Sequence, residues 1–170
     1  MENNTKVIIL NMKIRNSIWY ETRIKYQKTM EDGSEKVVKE LYVVDALSCT
    51  EAETSIIDEM SCYISGDSAV TSAKKTNYGE IFFSDLDDDD KWYNAKLQFI
   101  TIDEKSEKEK RSNVTYLVQA KSLERALRYV NETLGNTMID FDIVGLNETH
   151  VFDVFEHHAT SSENKEENNE

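Results

Sequence analysis

Trp19-Tyr20-Glu21-Thr22-Arg23-Ile24-Lys25-Tyr26 returns 73 residues later as Trp92-Tyr93-Asn94-Ala95-Lys96-Leu97-Gln98-Phe99. An aromatic pair opens each copy, and Arg23 and Lys96 hold the same position behind their tryptophans. With one further residue of drift, Tyr42, Val44, Ala46, Ser48 and Ala52 fall on Tyr116, Val118, Ala120, Ser122 and Ala126. Glu80-Ile81-Phe82 then falls on Asp153-Val154-Phe155 at the original spacing. A period this long matches one small α+β unit rather than a solenoid repeat. Two copies in 170 residues predict a duplicated fold with pseudo-twofold symmetry.

Working outward, each copy reads as ββαβ. Residues 35–47 and 111–120 have the alternating or continuous apolar composition of strands. Each follows a polar turn, Glu31-Asp32-Gly33-Ser34 in the first copy and Asp103-Glu104-Lys105-Ser106 in the second. Each copy therefore begins with a β-hairpin. Ser48-x-x-Glu51 and Thr50-x-x-Glu53 fit a capping box, and Ala52, Ile56, Met60 and Ile64 form one apolar stripe on a helix over about 50–64. In the second copy Ser122 is the predicted N-cap, Leu123, Ala126, Leu127, Val130 and Leu134 the buried stripe, and Gly135 the stop. A third strand closes each unit, from about Val70 to Phe83 and from about Ile139 to Phe155. The predicted class is α+β: tandem ββαβ units forming an antiparallel sheet with two helices on one face. The boundaries are an N-terminal extension (1–18), a first repeat (19–84), an acidic connector (85–91), a second repeat (92–156) and a disordered acidic tail (157–170).

Composition narrows the function classes. At 39% hydrophobic content the chain can bury a core. Cys49 and Cys62 have no CxxC partner, which argues for a reducing compartment and against a disulfide framework or structural metal site. No apolar run approaches the roughly 20 residues of a membrane span, so the expected setting is soluble and cytoplasmic. The run Asp85-Leu86-Asp87-Asp88-Asp89-Asp90 invites a calcium reading, but the sixth and twelfth positions of such a loop would be Asp90 and Lys96 instead of Gly and Glu. It reads instead as a solvated, self-repelling connector. The sequence contains no phosphate-binding glycine loop, no Gly-x-Ser-x-Gly and no His-Glu-x-x-His, and His157 and His158 belong to the tail. The expectation is a protein without catalytic residues, metal or cofactor.

The sharper signal is the face that each first strand turns away from its helix. Tyr20, Ile24 and Tyr26 share one face while Trp19, Arg23 and Lys25 share the other. The second copy repeats the division, with Tyr93, Ala95, Leu97 and Phe99 against Trp92, Lys96 and Gln98. An indole beside cations suits single-stranded nucleic acid, because bases stack on aromatic faces for ~1–3 kcal/mol each while Lys and Arg neutralise phosphates. Lys74, Lys75, Lys110 and Arg111, with Lys105 and Lys108, would extend the basic track. The alternative is that the paired tryptophans plug the seam between repeats. Net charge is −13 but unevenly spread: residues 50–90 carry −9 (eleven acids, two lysines), 136–170 carry −8 (nine acids, one lysine), and 91–135 carry +3 (nine bases, six acids).

Together, Trp19-Tyr20-Glu21, Lys25-Tyr26-x-Lys28-Thr29-Met30-Glu31, Val44-Asp45-Ala46-Leu47-Ser48-x-Thr50-Glu51-Ala52-Glu53, Ile64-Ser65-Gly66, Tyr78-x-Glu80-Ile81-Phe82-Phe83-Ser84-Asp85 and Asp153-Val154-Phe155 resemble a family of Bacteroidetes and their phages. That family is catalogued as domain of unknown function 4494. The resemblance covers about residues 19–155 and implies a bacterial or phage cytosolic setting, with no catalytic residues to carry over. The expected function is non-enzymatic single-stranded nucleic-acid binding through Trp19, Arg23, Lys25, Lys74, Lys75, Trp92, Lys96, Lys110 and Arg111. The runner-up is an acidic protein-binding module, a DNA mimic or an inhibitor of a host nucleic-acid enzyme, with a basic protein as partner. The sequence leaves open whether subunits pair as a homodimer.

Overall fold

The computed structural model describes residues 18–156. The N-terminal extension, apart from Ile18, and the tail with its expected disorder lie outside the described residues. In chain order the elements are β1 (Trp19–Thr29), β2 (Glu35–Asp45), α1 (Cys49–Met60), β3 (Ser68–Lys75), β4 (Tyr78–Phe82), β5 (Lys91–Ile102), β6 (Glu109–Ala120), α2 (Leu123–Gly135), β7 (Asp140–Glu148) and β8 (Val151–Phe155). The class is mixed α+β, with eight strands in two sheets and two helices among the described residues.

Both hairpins form where turn chemistry demands. β1 pairs antiparallel with β2 around Gly33, whose φ of +77° suits a residue without Cβ. β5 pairs with β6 around Asp103, whose carboxylate accepts the Lys105 and Ser106 N–H groups at 2.9 Å each. Each helix starts on a serine in extended backbone: Ser48 Oγ accepts the Glu51 N–H at 3.1 Å and Ser122 Oγ the Arg125 N–H at 3.2 Å. The buried stripes are Ala52, Ile56 and Met60 on α1 and Ala126, Val130 and Leu134 on α2. Leu123 and Leu127 flank the second stripe and are exposed, because one helix resting on one sheet buries only a narrow face. Gly135 is the last helical residue rather than the stop, and Asn136 caps the end.

The predicted third strand of each copy is two strands. The chain breaks at Thr76, whose N–H donates to the Trp19 carbonyl at 2.8 Å, and at Thr149, whose N–H donates to the Trp92 carbonyl at 2.8 Å. The segments part company at these breaks. The first sheet has order β3-β1-β2-β8 and the second β4-β6-β5-β7. β4 thus leaves its own half to run parallel beside β6, and β8 returns to run parallel beside β2. Neither sheet is built from one half of the chain; the sequence leaves one sheet or two open, and the described residues form two sheets that are mixed rather than purely antiparallel, each with one helix.

Three cores result. Tyr20, Ile24, Tyr42 and Val44 pack with α1, and Tyr93, Ala95, Leu97 and Val118 pack with α2. The third joins the helix-free faces of the sheets: Val43, Leu41 and Trp19 meet Trp92 and Leu117, with Val151 and Val154 of β8 and Tyr78 and Ile81 of β4. Tyr78 also donates its hydroxyl to Glu21 at 2.8 Å, and burial followed by this bond pushes the phenol well above its usual range.

Each parallel pairing skips one residue, Gly79 in β4 and Phe152 in β8. A Cβ at Gly79 would lie 2.7 Å from Val114 Cγ1 and 3.1 Å from Tyr116 Cε1. Gly79→Ala is therefore expected to lose about 1–3 kcal/mol through overpacking, read as a lowered melting temperature. Gly66→Ala, which meets nothing within 4 Å, is the control and should melt like the wild type.

Candidate functional site

Strand alternation and register assign every predicted binding residue to a face. Arg23 and Lys25 lie exposed on the helix-free face of β1, and Lys74 joins them from β3, opposite Glu21. Lys39, hidden in sequence within an ordinary strand pattern, stands directly opposite Lys25 on β2 and is equally exposed. Among the described residues, no carboxylate lies within 4.0 Å of the charged groups of Arg23, Lys25, Lys39 or Lys74. Lys96 is exposed on the corresponding face of β5.

The remaining predicted residues do not join this patch. Lys75 sits opposite Tyr20 and Lys110 opposite Thr101, so both belong to the helix side of their sheets. Arg111 has the right face but is committed to Glu109 at 2.7 Å and Asp142 at 2.9 Å. Trp92 is 2% exposed and Trp19 is half-buried beside it in the seam core, with Phe83 edge-on to Trp92 at 5.5 Å between centroids. Trp92 therefore offers no open stacking face, and the seam-plug alternative describes it, whereas Trp19 stays partly exposed. The face that no helix covers is covered, at that end, by the other sheet.

Two further constellations escaped sequence reading. Glu40 on β2 accepts the Tyr42 hydroxyl at 2.7 Å, the Tyr26 hydroxyl at 2.8 Å and the Lys28 ammonium at 3.1 Å. Burial opposes ionisation of Glu40, but these three donors outweigh it and hold the carboxyl below its usual range. Tyr26 is pushed up to about 12, by burial first and then by Glu40. The second constellation is Asp89, a buried residue in the middle of the acidic connector. It accepts the Lys121 N–H at 2.7 Å, the Arg125 guanidinium at 2.8 Å, the Tyr129 hydroxyl at 2.7 Å and the Ser84 hydroxyl. The connector is thus a largely solvated run with one buried, anchored member, and its exposed Asp88 also meets the Lys121 ammonium at 3.1 Å, so it is not the uniformly self-repelling segment expected from its charge.

Beyond the connector, a cleft of about 690 Å³ opens between residues 84–92 and the turn joining β7 to β8. Its wall is acidic, with Asp85, Asp87, Asp90, Glu148 and Asp153. Cationic face and acidic cleft are thus separate features of one molecule. Residues 18–157 match the family model described as Domain of unknown function (DUF4494). The chain belongs to that family. No curated protein and no solved structure matches this DUF4494 chain. No helix among its described residues is long and apolar enough to cross a membrane.

Proposed function

We propose that this DUF4494 protein is a non-enzymatic binder of single-stranded nucleic acid, and that Arg23, Lys25, Lys39 and Lys74 grip its phosphates. The observation that carries the reading is the Lys25–Lys39 pair, two like charges directly opposite across a ladder with Arg23 alongside and, among the described residues, no acid within 4.0 Å. Such a pair destabilises its sheet by roughly 0.2–1 kcal/mol. In a chain with 33 acids and 20 basic residues, acids are abundant, yet among the described residues no carboxylate lies within 4.0 Å of these cations. A phosphate backbone relieves the repulsion. Four contacts at about 0.7 each predict a slope near −3 for log K against log salt on a single strand. The test is fluorescence anisotropy of a labelled thymidine oligonucleotide over a salt series. Binding with that slope is expected, and Trp92 emission should scarcely change because the indole is buried. An anisotropy that stays flat at about 50 mM salt, where such contacts are strongest, ends the reading.

The two halves are further read as copies of one ancestral unit with pseudo-twofold symmetry, now ββαββ rather than ββαβ. Support comes from the matched caps at Ser48 and Ser122, the matched breaks at Thr76 and Thr149, and the matched departure of β4 and β8 into the opposite sheet. The acidic cleft favours a second reading, capture of a basic protein. In that case the oligonucleotide is ignored and reversal of the connector aspartates, not of the lysines, abolishes binding.

A further inference from the structure

We propose that Phe152 is a base-stacking platform for the strand held by the cationic face; the inference rests on the nucleic-acid reading above. Val151 pairs with Leu41 and Asp153 with Tyr42, so Phe152 is the extra residue of a bulge, a feature that re-aims a side chain out of a regular ladder. The side chain it re-aims is a large aromatic left 58% exposed. The matching bulge of β4 carries Gly79, so the aromatic is particular to β8. The ring is held in place. Tyr42 lies 5.5 Å away at 56°, and the Lys28 ammonium stands over one face of the ring, 5.5 Å from its centroid, itself fixed by Glu40 at 3.1 Å, which leaves the opposite face for a base. An exposed flat ring beside a positioned cation is the pairing that single-strand recognition uses. The sequence assigned that pairing to Trp19 and Trp92, of which the seam half-buries the first and buries the second.

The position along the sheet connects this ring with the phosphate track. β8 pairs with Leu41 to Val44, so among the described residues β2 from Glu35 to Glu40 has an open edge on that side. Lys39 stands on the helix-free side of this edge, while Lys36, opposite Lys28, stands on the side of Tyr42. A strand crossing the edge passes from Lys25 and Lys39 to Lys28 and Lys36 and lays a base on Phe152. Glu40 is paired with Lys28, and Phe152 itself lines the acidic cleft together with Asp153, Glu148 and Asp90. Their repulsion keeps phosphates on the lysine side of the ring.

The experiment compares wild type, Phe152→Leu and Phe152→Trp on two labelled probes of equal length, a thymidine oligonucleotide and its abasic counterpart. Wild type and Phe152→Trp should prefer the thymidine probe. Phe152→Leu should bind it roughly tenfold more weakly while keeping the wild-type affinity for the abasic strand and the same salt slope, which a merely structural role would not do. Equal binding of both probes by the wild type, or wild-type thymidine affinity in Phe152→Leu, overturns the platform and leaves the phosphate reading standing. Failure of the wild type to bind either probe removes both.

Discussion

Asp89→Ala is expected to lower folding stability by about 3–5 kcal/mol, the usual penalty for breaking a buried ion pair by removing one partner. Asp89 has a fully buried side chain and sits between Oδ1 contacts from Arg125 and the Lys121 N–H and Oδ2 contacts from Tyr129 and Ser84. Truncation leaves the partly buried guanidinium and two hydroxyls facing an empty space, and it releases the connector from the start of α2. Asp89→Asn keeps the shape. The Ser84 and Tyr129 hydroxyls can turn to accept from the amide, so the loss is confined to the charge-assisted bonds and should be about 1–3 kcal/mol. Denaturant unfolding with an unchanged m-value checks both. A melting temperature within a degree or two of wild type for Asp89→Ala would mean that the latch contributes nothing, since the predicted loss corresponds to a shift of roughly 10 °C.

The same residue sets an acid limit. Burial works against ionisation of Asp89, but the hydroxyls of Ser84 and Tyr129, the Arg125 guanidinium and the Lys121 N–H together hold its carboxyl below the usual aspartate range. A carboxyl depressed in the folded state contributes stability above its unfolded value near 3.8, and that contribution is lost as pH falls through the lower folded value. Wild type should therefore lose stability steeply below the ordinary carboxylate range. Asp89→Asn should follow a flatter curve there, with the remaining slope owed in part to Glu40, whose shift has the same sign.

Local features were legible in the sequence, whereas long-range partners were not. Period-two alternation assigned Tyr20, Ile24 and Tyr26 and their counterparts to the helix side, and the serine caps were readable because capping is settled within three residues. The short strings Tyr78–Phe82 and Val151–Phe155 announce a strand but carry no mark of the sheet they join, and both join the sheet of the other half. That exchange decides the fate of Trp92. Alternation placed it away from the helix correctly but could not say that another sheet covers that face. Asp89 is likewise one of four consecutive aspartates, told apart only by its register against Arg125 and Tyr129, more than thirty residues on. Lys39 carries no signal of its own in the sequence, because its meaning lies across the ladder, in Lys25.

Lys39→Glu separates structural from functional cations on this face, because its two effects run in opposite directions. Placed opposite Lys25, a glutamate turns a like-charge pair into an opposite-charge pair, which should raise stability by roughly 0.2–1 kcal/mol. It also removes one phosphate contact and puts a negative charge beside Arg23 and Lys25 in the proposed strand path. Oligonucleotide affinity should then fall about tenfold or more at low salt, with the salt slope shallower by about 0.7. Adding Lys25→Glu restores like-charge repulsion, now between two acids. The double variant should give back the stability gain and bind more weakly still. A merely solvated face predicts the stability changes without any change in binding. If Lys39→Glu melts higher than wild type yet binds the oligonucleotide with unaltered affinity and slope, the cations of β1 and β2 are not the ligand's seat.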